Sequence, residues 1–181
     1  MKTPCIYFSV CIFLLMLTSC DKKEDVDDKT TYTNITRSIV SCISDIHNQN
    51  LAGRPTGAQN MTVGGPLGGE VIIEGSTGVA DNGISTMDLN YTLSGVNYIF
   101  VSQYYTTNIT LNGVINEKGS FNSETQYVSI NYSSSNLQIS GSIYYSKNDK
   151  VSRTINESGS VSINRSWSTT NGYVFGQTVT Y

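Results

Sequence analysis

Residues 87–94, Met87-Asp88-Leu89-Asn90-Tyr91-Thr92-Leu93-Ser94, decide the fold. Four apolar residues, Met87, Leu89, Tyr91 and Leu93, alternate with four polar ones. Successive side chains of an extended strand point to opposite faces, so this stretch has one dry face and one wet face. Such strands belong to antiparallel sheets that cover a core on one side only. The same period of two recurs at Ile109 and Leu111, and at Val128, Ile130 and Tyr132. It continues through Leu137, Ile139, Gly141, Ile143 and Tyr145, and again at Val161 and Ile163.

Turn signals punctuate these runs at Asp81-Asn82-Gly83, Asn116 to Gly119, Ser133 to Asn136, Lys147 to Lys150 and Asn171-Gly172. They predict roughly eight to ten strands of ordinary length. Gly75, Gly95, Gly113 and Gly141 each follow an aliphatic residue by two positions. Glycine inside a strand marks a bulge, a bend or a close backbone approach, which predicts a strongly curved sheet. The same glycines are also compatible with the ends of short strands.

Upstream the period changes. Ile35, Ile39, Cys42, Ile43 and Ile46 share one helical stripe, with Arg37, Ser41, Ser44, Asp45 and Asn48 opposite. This predicts an amphipathic helix over about Thr33 to Gln49, with Thr33 or Asn34 as its N-cap. Residues 50 to 69, rich in glycine, read as a loop. Gly64 to Gly69 (GGPLGG) lacks the Lys-Ser/Thr pair of a phosphate-binding loop and reads as a turn. The expected fold class is therefore mainly β (α+β): one N-terminal amphipathic helix on an antiparallel meander, curved or barrel-like.

An internal repeat accompanies the pattern. Shifted by 40 residues, 102–121 aligns on 142–161 with 9 identities in 20 positions. Roughly 2 would be expected from composition alone, so a duplicated unit of a few strands is the simplest reading. The identities place Glu117 opposite Glu157, and Tyr104-Tyr105 opposite Tyr144-Tyr145.

The N-terminus carries an address. Ile6 to Leu17 is a run of 12 mostly apolar residues after the basic Lys2. A bilayer-spanning helix needs about 20, so the run fits a signal peptide. It ends in Leu17-Thr18-Ser19-Cys20, which resembles the lipobox of bacterial lipoproteins. That resemblance implies cleavage before Cys20, a diacylglyceryl group on its thiol and acylation, such as palmitate, of the new amino terminus. Lys23-Glu24-Asp25 resembles the outer-membrane export signal of Bacteroidota lipoproteins. Asp21, directly after the cysteine, instead resembles an inner-membrane retention signal of enteric bacteria. The outer membrane is the expected location, on the Asn-, Ser-, Thr- and Tyr-rich composition. The inner membrane's periplasmic side is the alternative. The expected organisation is a leader over 1–19, a lipidated charged tether over 20–31 and one β-rich domain over 32–181.

Cysteine usage agrees with that arrangement. Cys5 and Cys11 lie in the leader, and Cys42 is the one remaining thiol of the mature chain. No internal disulfide is then possible, so the domain must stand on its core. The net charge of −3 and the absence of a basic patch among aromatics exclude nucleic acid as the expected partner.

No catalytic constellation is legible, and neither a cofactor nor a metal is expected. His47, the only histidine, reads as a surface residue near the helix C-terminus. Cys42 reads as a buried hydrophobe. Glu117 and Glu157 invite comparison with the carboxylate pair of glycoside hydrolases, but each sits in turn-like Asn-Glu-x-Gly-Ser sequence. Tyr104, Tyr105, Tyr144 and Tyr145 are the candidate contact residues, since one of each adjacent pair must face outward. The expected function is a membrane-anchored, non-catalytic binding or structural module touching glycan or an envelope protein. A carrier or chaperone for a lipid-like ligand is the alternative, and a glycan-acting enzyme a more distant one.

Overall fold

The computed structural model describes residues 26–80, 82–122, 124–146 and 150–181. The leader, Cys20 and the residues around it lie outside the described residues, as do Asp81 and Lys147 to Asp149 of the expected turns. Helix α1 (Asp28–Asn50) is followed by eight strands: β1 (Gly57–Gly64), β2 (Glu70–Val79), β3 (Ser85–Val101), β4 (Tyr105–Asn122), β5 (Tyr127–Tyr145), β6 (Lys150–Ser166), β7 (Thr170–Val174) and β8 (Gln177–Thr180). All neighbours in sequence are neighbours in one antiparallel sheet. The sheet curls but stays open, since β1 and β8 do not pair. The mainly β fold with one N-terminal helix is thus as the alternation predicts.

The helix fills the concave side. Ile35, Ile39, Cys42, Ile43 and Ile46 are all fully buried, as their stripe requires. They meet Val71, Ile73, Leu89, Tyr91, Ile109, Leu111, Ile115, Tyr132, Leu137, Ile143 and Ile163 in one core. Four of the five stripe residues are β-branched and weak helix formers, so burial and not propensity holds α1 helical. The helix is also buried beyond its stripe, at Thr31, Asn34, Thr36 and Ser38. Thr36 Oγ1 and Ser38 Oγ satisfy themselves by donating to the carbonyls of Tyr32 and Asn34 one turn back.

Helix α1 begins earlier than its pattern suggests. Asp27 is the N-cap, its carboxylate accepting from Thr30 N at 2.6 Å, and not Thr33 or Asn34. Val26 is buried, and Arg153 of β6 reaches both the Val26 carbonyl and the Asp28 carboxylate. The last residues assigned to a tether therefore belong to the domain. Their charges hide this, because a cap and a tether both favour aspartate.

The loop expected over 50–69 contains β1, and only 65–69 forms the turn into β2, closed by Gly65 N to Gly69 O. Strands β3 to β6 run 17 to 19 residues. Three expected turns, at Asn116 to Gly119, Ser133 to Asn136 and Asn171-Gly172, lie inside strands β4, β5 and β7. Their polar residues serve the sheet instead. Asn116 Nδ2 donates across to Asp88 Oδ1, Asn90 Oδ1 and the Leu89 carbonyl. Asn112 Oδ1 accepts from Gly95 N at 2.7 Å where the β3–β4 register slips.

The four recurring glycines all lie within strands, not at their ends. Gly141 illustrates why: a Cβ there would sit 2.0 Å from the Asn108 carbonyl oxygen of β4. Such close approaches, with register slips between Leu93/Val96, Asn112/Asn116 and Ser134/Leu137, bend the sheet around the helix.

Candidate functional site

The outer face of α1 is not fully covered. It forms the floor of an open groove of about 740 Å³, with Arg37, Val40, Ser41, Ser44 and Asp45 along it. One wall is the end of β3, Tyr98 to Val101, and the other is Arg165 to Thr170 with the C-terminal Tyr181. The curl of the sheet brings these walls together, although two strands, β4 and β5, separate β3 from β6.

Several polar groups of the groove are held in place. Asp45 accepts from the Tyr98 hydroxyl at 2.6 Å. Burial, then this carboxylate, pushes the Tyr98 phenol well above its ordinary range. Arg37 stacks its guanidinium 4.5 Å over the Tyr181 ring. Arg165 donates to Ser44 Oγ at 3.2 Å. Trp167, the only tryptophan of the chain, is 58% exposed. It rides a short turn in which Ser166 N donates to the Thr169 carbonyl, and Ser166 Oγ accepts from Thr169 N.

A polar knot lies beneath the C-terminal half of the helix. Glu117 of β4 is 2% exposed. Its Oε2 accepts from the Tyr91 hydroxyl at 2.7 Å and from His47 Nδ1 at 2.9 Å. Nδ1 facing a carboxylate carries the imidazole proton. Burial pushes the Tyr91 phenol far up, and the Glu117 charge adds to it. The Tyr132 phenol is raised to about 12, again chiefly by burial. Beside the knot is a smaller space of about 210 Å³, lined by His47, Glu117, Tyr132, Arg165 and apolar residues including Phe121 and Ile130.

Several sequence expectations change here. His47 is no free surface residue: its side chain is 15% exposed and ties helix to sheet. Glu117 is no turn residue but the buried acceptor of that tie. Glu157 lies in β6, partly buried, and its carboxylate faces the Tyr32 hydroxyl. Glu117 pairs with Tyr132 and Glu157 with Ile139, so seven residues of β5, on the order of 20 Å, separate the two glutamates. A glycosidase pair works within about 10 Å, so these two do not form one. Cys42 is buried as expected, and burial pushes its thiol up to about 12.

The four candidate tyrosines gather at one end of the sheet. Tyr105 pairs with Tyr145, ring centroids 5.8 Å apart. Tyr104 is exposed and Tyr144 half-buried. None of them lines the groove. The groove residues carried weaker signals: Arg37 stood opposite the apolar stripe, and Trp167 was simply a lone tryptophan among serines. Among the described residues no three His, Cys, Asp or Glu side chains are grouped as metal ligands would be. Nor is any described helix long and apolar enough to cross a membrane. Compared with known proteins, the chain matches no family model, no curated protein and no solved structure.

Proposed function

We propose that this chain is a lipid-anchored envelope protein whose domain is a non-catalytic binding module, with the groove over α1 as its ligand site. The observation that carries the reading is the groove itself. It is concave, walled by Tyr98, Phe100, Trp167 and Tyr181, and supplied with a few fixed polar groups. Ligand sites combine these properties, an aromatic lining and a small number of oriented polar contacts. The half-exposed Trp167 also suits a contact residue, because its ring is apolar while its N–H remains a donor.

A carrier of lipid-like molecules would need the concave face of the sheet vacant, and α1 fills that face. The binding reading is therefore preferred. Anchoring rests on Leu17-Thr18-Ser19-Cys20: two or more acyl chains at Cys20 give stable membrane attachment where one does not. The outer membrane is the proposed location, on Lys23-Glu24-Asp25.

Two measurements test these proposals. Globomycin treatment, or Cys20→Ala, should leave an unprocessed precursor; normal maturation in either case refutes the anchor. For the groove, the full chain in detergent is screened on a glycan array and against envelope extracts. Trp167→Ala should abolish the retention found without shifting thermal unfolding. Retention untouched by that change would move the binding surface elsewhere, with the exposed Tyr104 end of the sheet as the next place to look.

A further inference from the structure

The charges in the groove specify more than a generic contact surface. Arg37, Arg165 and Asp45 are the charged side chains that line it. Asp45 is engaged by Tyr98. Neither arginine forms an ion pair with a carboxylate among the described residues. Instead, an aromatic ring holds Arg37 and a hydroxyl holds Arg165, contacts that orient a guanidinium while leaving its charge unneutralised. The side chains lining the groove thus carry two positive charges and one negative, on a chain whose net charge is −3.

Spacing adds a constraint. Arg165 reaches Ser44, seven residues along α1 from Arg37, so the two anchoring points lie about 10 Å apart on the helix axis. The two arginines thus reach the groove from different elements, Arg37 from α1 and Arg165 from β6. The lining between and around them is of two kinds. Hydroxyls come from Ser41, Ser44, Ser168 and Thr169, and aromatic rings from Trp167 and, largely buried, Tyr98. Hydroxyls and the Asp45 carboxylate match a ligand rich in hydroxyl groups. The exposed Trp167 ring matches the C–H face of a saccharide. Guanidinium forks match carboxylate or sulfate.

We propose that the groove takes an acidic saccharide, with anionic groups on Arg37 and Arg165 and a sugar ring against Trp167. This rests on the groove being the binding site. Because Trp167 is the only tryptophan, its fluorescence reports from the site itself. The probes are oligogalacturonate and a chondroitin sulfate fragment, titrated into the full chain in detergent. Methyl-esterified oligogalacturonate serves as the uncharged control.

Either acidic probe, or both, should shift Trp167 emission, and added salt should weaken that response. Arg37→Gln and Arg165→Gln should each reduce affinity by about tenfold or more, the usual loss for a hydrogen bond to a charged group. The salt response of the unaltered chain keeps the test valid if a variant folds poorly. A shift given equally by the uncharged control, and unaffected by salt, would overturn the acidic ligand while leaving the groove as the site. Silence of Trp167 toward both acidic probes would overturn it too. If a ligand found in the array screen also leaves Trp167 silent, the groove reading falls with it.

Discussion

Glu117 and Glu157 occupy the same place in the two copies of the repeat, yet they sit in opposite circumstances. Glu117 is buried near the C-terminal end of α1, gripped by His47 and Tyr91. Glu157 lies toward the N-terminal end, partly open to solvent, near Tyr32. The two sequences resemble each other, but a single helix lies over both strands. Similar strand sequences are therefore placed under different parts of one asymmetric cover. Of the two aligned carboxylates, only the one under His47 is locked in the core.

The comparison can be broken most directly at the glutamates. Glu117→Ala leaves the Tyr91 hydroxyl and the His47 N–H buried without their acceptor. It should cost about 3 kcal/mol, read as a lower denaturant midpoint. Glu157→Ala should cost no more than about 1 kcal/mol. Equal losses would mean that the helix does not distinguish the two copies.

The neighbouring glycines sharpen the point. At Gly119 a Cβ would lie 2.1 Å from the Ser129 carbonyl, whereas at Gly159 it meets only the Phe175 ring at 3.9 Å. Gly119→Ala should destabilise by about 2 to 3 kcal/mol, as overpacking against rigid backbone does. Gly159→Ala should cost about 1 kcal/mol, through its positive φ of 139°. Thermal melts of the pair give the ordering.

A smaller effect is expected from His47→Gln. Glutamine retains a donor of similar reach, so a loss of about 1 kcal/mol is expected, below that of Glu117→Ala. A loss matching Glu117→Ala would show that the knot needs the imidazole ring itself and not merely a hydrogen-bond donor.

The smallest effect lies at the other end of the helix. The Thr30 backbone N–H holds the Asp27 carboxyl below its ordinary range. A carboxylate whose folded pKa is depressed stabilises above its unfolded pKa and loses that contribution as pH falls through the folded value. The unaltered chain should thus lose this increment below about pH 4, and Asp27→Ala should remove that part of the acid sensitivity. Melting temperatures across pH for the two chains provide the check; identical profiles would remove Asp27 from the cap.

How much of this was legible beforehand differs by element. The alternation at 87–94 and the stripe from Ile35 to Ile46 depend on periodicity, which burial on one face imposes directly on sequence. Both were readable. Strand length was not, because asparagine, serine and glycine serve turns and bulges alike, and Asn116 and Gly119 look the same in either role. The His47–Glu117 contact spans 70 positions and leaves no local mark.

By itself, the sequence determined the class of the fold, the face that α1 buries, and the lipobox resemblance at Cys20. Each is a property of neighbouring residues, set by strand period, helix period or a short contiguous motif. Tertiary structure alone decided that the sheet stays open, that α1 occupies its hollow, and that Arg37, Arg165, Tyr98 and Trp167 share a groove. Those outcomes depend on how far eight strands curl before their ends meet across a helix. That curl accumulates from small backbone deviations at bulges, and no single residue encodes it.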